Sequence, residues 1–349
     1  MKSAVFYSPN NIKVVEKKMP KLTPDSIIVK VKACAICGSD LRIFKEGNKR
    51  IVEPRILGHE ISGEIVEVGH NVEGFKVLDR VSTGADLPCG NCKYCKDGKP
   101  NSCAINYAVG YQFDGGFSEF VLFNDLLLKG GPIQKFTSST GWNEAALAEP
   151  LACCLNGFQQ ALVKQEENNE TLLIFGAGPI GLMLLLLGKK LFNFNSIIVI
   201  EPSDFRRDAA KLLGADHVIN PACEDIKNIV LDLTNGQGVN VIFTACPILE
   251  THKISLELID NNGVINFFGG LPQSSSAIEI LSNLIHYKQI YITGSHGSTP
   301  EQHCFALHLI KNNIVDVKPL ISKVYKLEDI NKGFSLAASG KVSKVVICP

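Results

Sequence analysis

The chain has 349 residues, 45% of them hydrophobic and 20% charged, and its 35 Lys+Arg balance its 35 Asp+Glu to a formal net charge of zero. That length supports two domains with cores of their own, and that balance leaves no electrostatic footprint for nucleic acid or an acidic membrane. Met1 to Ser8 runs directly into strand-like alternation rather than a signal peptide, and the apolar Leu182–Leu187 run, closed by Gly188-Lys-Lys190, is too short to cross a bilayer, so the expectation is a cytoplasmic protein. Twelve cysteines are unevenly spread, four of them between Cys89 and Cys103. Clustering of that kind, in a chain too large to need disulfide staples, points to metal binding or chemistry.

The first 35 or so residues alternate as strands: Ala4–Tyr7, Ile12–Val15 and Ile27–Val31, separated by turns bearing Pro and Asn. Cys34-Ala-Ile-Cys37 has redox-pair spacing, but no thioredoxin-like βαβ pattern surrounds it. Leu57-Gly-His-Glu60 then precedes a strand over residues 61–68. Cys37, His59 and a carboxylate together offer the sulfur, nitrogen and oxygen donors that zinc accepts while keeping a position open for substrate.

Cys89, Cys92, Cys95 and Cys103 follow with the spacing C-x-x-C-x-x-C-x₇-C in a lobe rich in glycine and lysine. Four thiolates and no open position suit a closed, tetrahedral structural zinc site. An iron–sulfur cluster is the alternative, but such runs usually close with a short C-x-x-x-C-P that this lobe lacks. A turn and strand follow from Tyr111, and residues 142–160 read as helical with an interruption at Ala148-Glu-Pro150. A helix starting near Glu149 would put Glu149 and Cys153 on one face. Residues 165–170 form a polar link to the next domain.

That domain opens with T-L-L-I-F-G-A-G-P-I-G, residues 171–181, a buried strand running into a glycine turn and an apolar helix. Gly176, Gly178 and Gly181, with Pro179 and Ile180 between them, fit the G-x-G-x-x-G fingerprint that lets a pyrophosphate approach the helix N-terminus. A second apolar strand ends at Glu201, twenty residues past Gly181, where the fingerprint expects an acid for the ribose hydroxyls. Glu201 favours NAD over NADP, whereas Arg206 and Arg207 nearby could accept a 2′-phosphate. Strand and helix alternate to about residue 294, and the remaining ~55 residues are expected to return to the first domain.

Taken together, C-G-S-D-L at 37–41, G-H-E at 58–60, the cysteine lobe, E-P-L at 149–151 and G-A-G-P-I-G at 176–181 resemble the zinc-containing medium-chain dehydrogenases, in particular the sorbitol (polyol) dehydrogenase branch. The resemblance covers nearly the whole chain. It implies an α/β protein: a GroES-like, mainly-β catalytic domain over residues 1–150 and 292–349, with its zinc lobe at 86–105, and a Rossmann doubly wound parallel sheet over 151–291. It also implies two zinc ions per chain and NAD. The catalytic ion would be held by Cys37, His59 and Glu149 with Glu60 a neighbour or exchanging ligand, and the structural ion by Cys89, Cys92, Cys95 and Cys103. A homodimer or homotetramer is implied as well, and Cys153 would lie near the nicotinamide.

The expected reaction is NAD-dependent oxidation of a secondary hydroxyl of a small-molecule polyol to a ketone. Ser39 is the candidate to take the proton, and Arg206 joins the cofactor set. Relatives often carry histidine where Arg42 stands and an arginine near residue 297, where this chain reads Gly294-Ser-His-Gly-Ser298, so a polyol phosphate, threonine or a simple secondary alcohol such as butanediol are competing substrates. Arg42, Lys45, Lys49 and Arg50 are expected to border the zinc cleft. A zinc- and nucleotide-binding protein without activity and a nucleic-acid-binding zinc module are the remaining alternatives; the second lacks an aromatic stacking set or basic stripe.

Overall fold

The structure, a computed structural model, describes residues 1–164, 170–272 and 277–349. Most of the polar link expected at 165–170 lies outside the described residues. The chain forms two compact units, one of Met1–Cys153 with Gly297–Pro349 and one of Cys154–His296.

The second unit is built on a six-stranded sheet in which every pairing is parallel. Its strands run in the order His217–Ile219, Ser196–Ile200, Thr171–Phe175, Val239–Thr244, Ile259–Phe267 and Tyr291–Gly294. Numbered along the unit this is 3-2-1-4-5-6, the doubly wound order that reverses direction beside the first strand. Helices cover both faces, so the central strands are apolar throughout. Leu172, Leu173, Ile174, Ile197 and Ile198 are fully buried, and each such side chain contributes about 1.5–3 kcal/mol relative to exposure. The Pro179–Lys190 helix is buried from Gly181 to Gly188, which explains why its sequence is apolar on every side.

The first unit is mainly β. Its largest sheet runs Ile133–Phe136, Arg80–Thr83, Glu60–Val68, Ile27–Ala35, Lys344–Cys348, Ile321–Lys326, with Phe120–Phe123 also paired to Ile27–Ala35. A three-stranded sheet of Asn11–Glu16, Lys2–Ser8 and Arg55–Ile56 packs its apolar residues into the same core, around Phe6, Ile56, Ile61, Phe117 and Phe123. The register carries the functional consequence. Ala35 stands opposite Glu60 on one side and Val346 on the other. Residues just beyond Ala35 therefore meet the start of one neighbouring strand and the opening of the other. Among the described residues no helix is long and apolar enough to cross a membrane.

Candidate metal and cofactor sites

Cys37 follows the Ile27–Ala35 strand and is the N-cap of the Gly38–Glu46 helix. Its backbone N–H donates to Asp40 Oδ2 at 3.0 Å, closing a capping box that fixes where the helix begins. Because Ala35 pairs with Glu60, this cap faces His59 and Glu60. One donor atom each from Cys37, His59 and Glu60 lie within 4.8 Å of one another. Glu149 is not in that set, although it is buried and close enough to feel the charges of His59 and Glu60.

His59 is 4% exposed and Asp40 1%. Their Nδ1 and Oδ1 atoms are 3.5 Å apart, and neither makes a hydrogen bond. Burial alone would push the imidazole down; the charges of Asp40 and Cys37 reverse this and carry it well above its ordinary value. On its other side Nε2 lies 3.4 Å from the Ser39 hydroxyl. A buried imidazole flanked by a carboxylate, with a thiol and a second carboxylate alongside, gathers nitrogen, sulfur and oxygen donors that a cation can bind together. The donor chemistry fits zinc, with Asp40 as the outer partner that orients a histidine ligand.

Glu60 is fully buried and paired with Lys344, whose ammonium reaches Glu60 Oε2 at 2.6 Å and the Ile36 carbonyl at 3.1 Å. Burial opposes charge on Lys344, but Glu60 outweighs it and raises the lysine above its ordinary value. Glu149 sits at the start of the Ala148–Gln160 helix and is pushed up to about 7, by burial first, with Glu60 and Asp86 adding to the effect. Cys153, one turn on, places its Sγ 3.6 Å from Glu149 Oε1, so the two share a face.

The four-cysteine lobe is closed at its base by pairing of Asp86–Leu87 with Tyr107–Ala108. Its short Lys93–Lys96 and Pro100–Ser102 helices bury no residue, so an apolar core does not hold it. The sulfurs do lie together: Cys92 to Cys95 is 3.5 Å, Cys92 to Cys103 3.9 Å and Cys89 to Cys95 4.0 Å. A tetrahedron with zinc–sulfur bonds of about 2.3 Å has edges of about 3.8 Å. Backbone N–H groups of Cys89 and Cys92 also donate to Cys103 and Cys89 sulfurs, at 3.4 and 3.3 Å, which favours thiolates.

In the second unit Gly176 has φ +96°, and a Cβ on Gly181 would lie 1.8 Å from the Gly176 carbonyl oxygen. Only glycine allows this turn. Gly178 caps the helix, with Pro179 in its first turn. Glu201 is 4% exposed, and its carboxylate accepts from the Ala177 N–H at 2.8 Å and the Ser203 N–H at 3.0 Å. It therefore braces the glycine turn from the end of the neighbouring strand. Arg207 is diverted to the Glu201 and Pro202 carbonyls and to Asp204. Arg206 sits 4.0 Å from Glu201 Oε2, with a buried Nε that makes no hydrogen bond.

Arg42, Lys45 and Lys49 are exposed, whereas Arg50 stacks 4.9 Å from the Tyr111 ring centroid. Sequence reasoning missed Tyr111, Lys344 and the second role of Asp40. Only Asp40 left a local signal, an acid three residues after an N-cap.

Residues 23–129 match the family model for the alcohol dehydrogenase GroES-like domain, and residues 179–312 that for zinc-binding dehydrogenase. D-arabitol-phosphate dehydrogenase of Enterococcus avium is 32% identical over 95% of this chain and 92% of its own. L-threonine 3-dehydrogenase of Pyrococcus abyssi is 33% identical over 95% and 94%. Sorbitol dehydrogenase of Halalkalibacterium halodurans is 32% identical over 96% and 95%.

Proposed function

From the premise that the chain belongs to the zinc-containing medium-chain dehydrogenases, we propose that it oxidises a secondary hydroxyl of a polyol to a ketone with NAD, and catalyses the reverse. The observation that carries this reading is the thiol, imidazole and carboxylate convergence of Cys37, His59 and Glu60 beside the Ser39 hydroxyl. Zinc held there would supply Lewis acidity, lowering the pKa of the substrate hydroxyl. Asp40 orients the His59 ring from behind, so that Nε2 faces Cys37 and Ser39. Ser39 takes the hydroxyl proton and hands it towards solvent; its Oγ stands 3.4 Å from that nitrogen, beside the donor set. Lys344 neutralises Glu60, which keeps the buried site from accumulating negative charge. Glu149, on its own helix, is the further carboxylate ligand that the family resemblance implies. Cys89, Cys92, Cys95 and Cys103 hold the second zinc.

On the other unit the turn through Gly176, Gly178, Pro179, Ile180 and Gly181 receives the pyrophosphate. Glu201 and Arg206 stand at the adenosine end. Glu201 favours NAD, because a carboxylate there repels a 2′-phosphate. Arg42 faces solvent and Arg50 is already engaged by the Asn106 carbonyl and the Tyr111 ring, which supports a free polyol over its phosphate ester.

A panel of C4–C6 polyols, their phosphate esters, L-threonine and 2-butanol, each with NAD⁺ and NADP⁺, tests the reading. A free polyol with NAD⁺ should give the highest kcat/KM, at least about tenfold above 2-butanol. A phosphate ester or threonine in first place would displace the polyol, and a higher kcat/KM with NADP⁺ would reverse the cofactor assignment.

A further inference from the structure

Tyr111 belongs to the segment that links the cysteine lobe to the Phe120–Phe123 strand, and that segment is held tightly. The Tyr111 N–H donates to the Ala108 carbonyl at 3.3 Å and Gly110 N–H to the Phe113 carbonyl at 2.9 Å. The Gln112 side chain accepts from Ala108 N–H at 2.9 Å and donates to the Arg50 carbonyl at 3.3 Å. Arg50 contributes its other end as well: its guanidinium donates to the Asn106 carbonyl and lies 4.9 Å from the Tyr111 ring centroid. A planar guanidinium on an aromatic face is a rigid brace.

Held this way, the Tyr111 ring lies 6.0 Å from the His59 ring, and its phenol meets the Ser39 side chain. A phenol carries its proton at neutral pH and can donate. Ser39 already faces His59 Nε2 at 3.4 Å, where the reacting hydroxyl would be received. Tyr111 brings a second hydroxyl to the same Ser39 side chain.

We propose that Tyr111 is a substrate-binding residue of this site, its phenol hydrogen-bonding a second substrate hydroxyl on the carbon next to the one oxidised, with Arg50 as the positioning residue that holds the ring. This rests on the polyol reading and deepens it, because it names the substrate feature recognised: adjacent hydroxyls. A monohydric alcohol has no second hydroxyl for Tyr111 to bind and loses less when the phenol is removed.

The zinc-loaded enzyme is assayed with NAD⁺ on 2,3-butanediol and on 2-butanol as wild type, Tyr111→Phe, Arg50→Gln, Arg50→Lys and the Tyr111→Phe/Arg50→Gln double variant. Binding of meso-erythritol to the enzyme–NADH complex is measured by calorimetry, and zinc content by metal analysis. Tyr111→Phe should lower kcat/KM for butanediol about tenfold, mainly through KM, and weaken meso-erythritol by a similar factor, as expected for one lost hydrogen bond. Its activity on 2-butanol should fall by a clearly smaller factor than that on butanediol, with zinc content unchanged. Arg50→Gln should reproduce part of the butanediol loss, Arg50→Lys less of it. The double variant should be no worse than Tyr111→Phe, because Arg50 acts through the ring. Equal losses on both alcohols, or no loss on butanediol, overturn the assignment of Tyr111 alone. A wild type that neither turns over butanediol nor binds meso-erythritol brings down the polyol reading, and this inference with it.

Discussion

The two candidate zinc sites are built on opposite principles. In the cysteine lobe all four donors are alike, lie within 15 residues of chain in and around two short helices, and are spaced nearly as a bound ion would space them. The mixed site draws Cys37 from a helix cap, His59 and Glu60 from a strand start and Lys344 from a strand close to 300 residues further on. It leaves buried Nδ1 and Oδ1 atoms of His59 and Asp40 without hydrogen bonds. A local, uniform site can close around its metal and hold a coreless lobe together. A site assembled from distant elements can keep unlike groups apart and leave room for a substrate.

Paired substitutions would break that contrast most sharply. His59→Ala should reduce kcat/KM by about three orders of magnitude or more while leaving the lobe's zinc and the fold intact, so metal analysis should find one zinc per chain. Cys95→Ser should do the reverse. It should lose the lobe's zinc and lower Tm by roughly 10 °C, with little change in turnover per folded molecule. Equal thermal destabilisation by both substitutions would mean that the two sites are not divided between structure and chemistry.

The Glu60–Lys344 pair sharpens the same comparison at a smaller scale. Both side chains are at most 3% exposed, so Lys344→Met would strand a buried carboxylate. The cost should be about 3–5 kcal/mol in chemical denaturation, with much of it recovered in Glu60→Gln/Lys344→Met. A loss near zero would show that Glu60 finds another partner.

The smallest effect separates two buried histidines of the same unit. His59 has Asp40 and Cys37 beside it. His303 is completely buried, its Nε2 lies 3.3 Å from the Ser82 hydroxyl, and burial lowers it to about 4. The unfolded chain, with a histidine near its ordinary value of 6.5, binds the proton more readily than the folded one. The stability of neutral His303 is therefore complete above pH 6.5 and falls as pH drops from there to about 4, by roughly 3 kcal/mol. Denaturant midpoints measured across that window should fall less steeply in His303→Gln than in wild type; parallel curves would count against a buried neutral imidazole.

Legibility in the sequence followed the same division. The cysteine lobe, the glycine turn and the alternation of the parallel-sheet unit are local patterns, in which spacing along the chain is nearly spacing in space. Cys37 and His59 were readable because a helix cap and a strand start leave marks in a few residues. Lys344 could not be found that way: it reaches Glu60 only through the register that sets Val346 opposite Ala35, a pairing between strands some 300 residues apart. The same holds for Arg50 on Tyr111, since a basic residue in a run of them gives no sign of which one folds back. Glu201 was placed correctly at its strand end, but its two hydrogen bonds to backbone N–H groups depend on the turn already being folded.

The end of the Ile27–Ala35 strand next to Cys37 has a consequence for biosynthesis. Its neighbour on one side, Glu60–Val68, is made within a few dozen residues; the other, Lys344–Cys348, is separated from it by the whole Cys154–His296 unit. Closing so long a loop costs only logarithmically more free energy than closing a short one, and the larger penalty is in time. On the ribosome, the cysteine lobe can capture zinc as soon as Cys103 has emerged. Glu60 must wait for Lys344, so a chain stalled before that residue lacks the cation that its carboxylate pairs with in the folded protein.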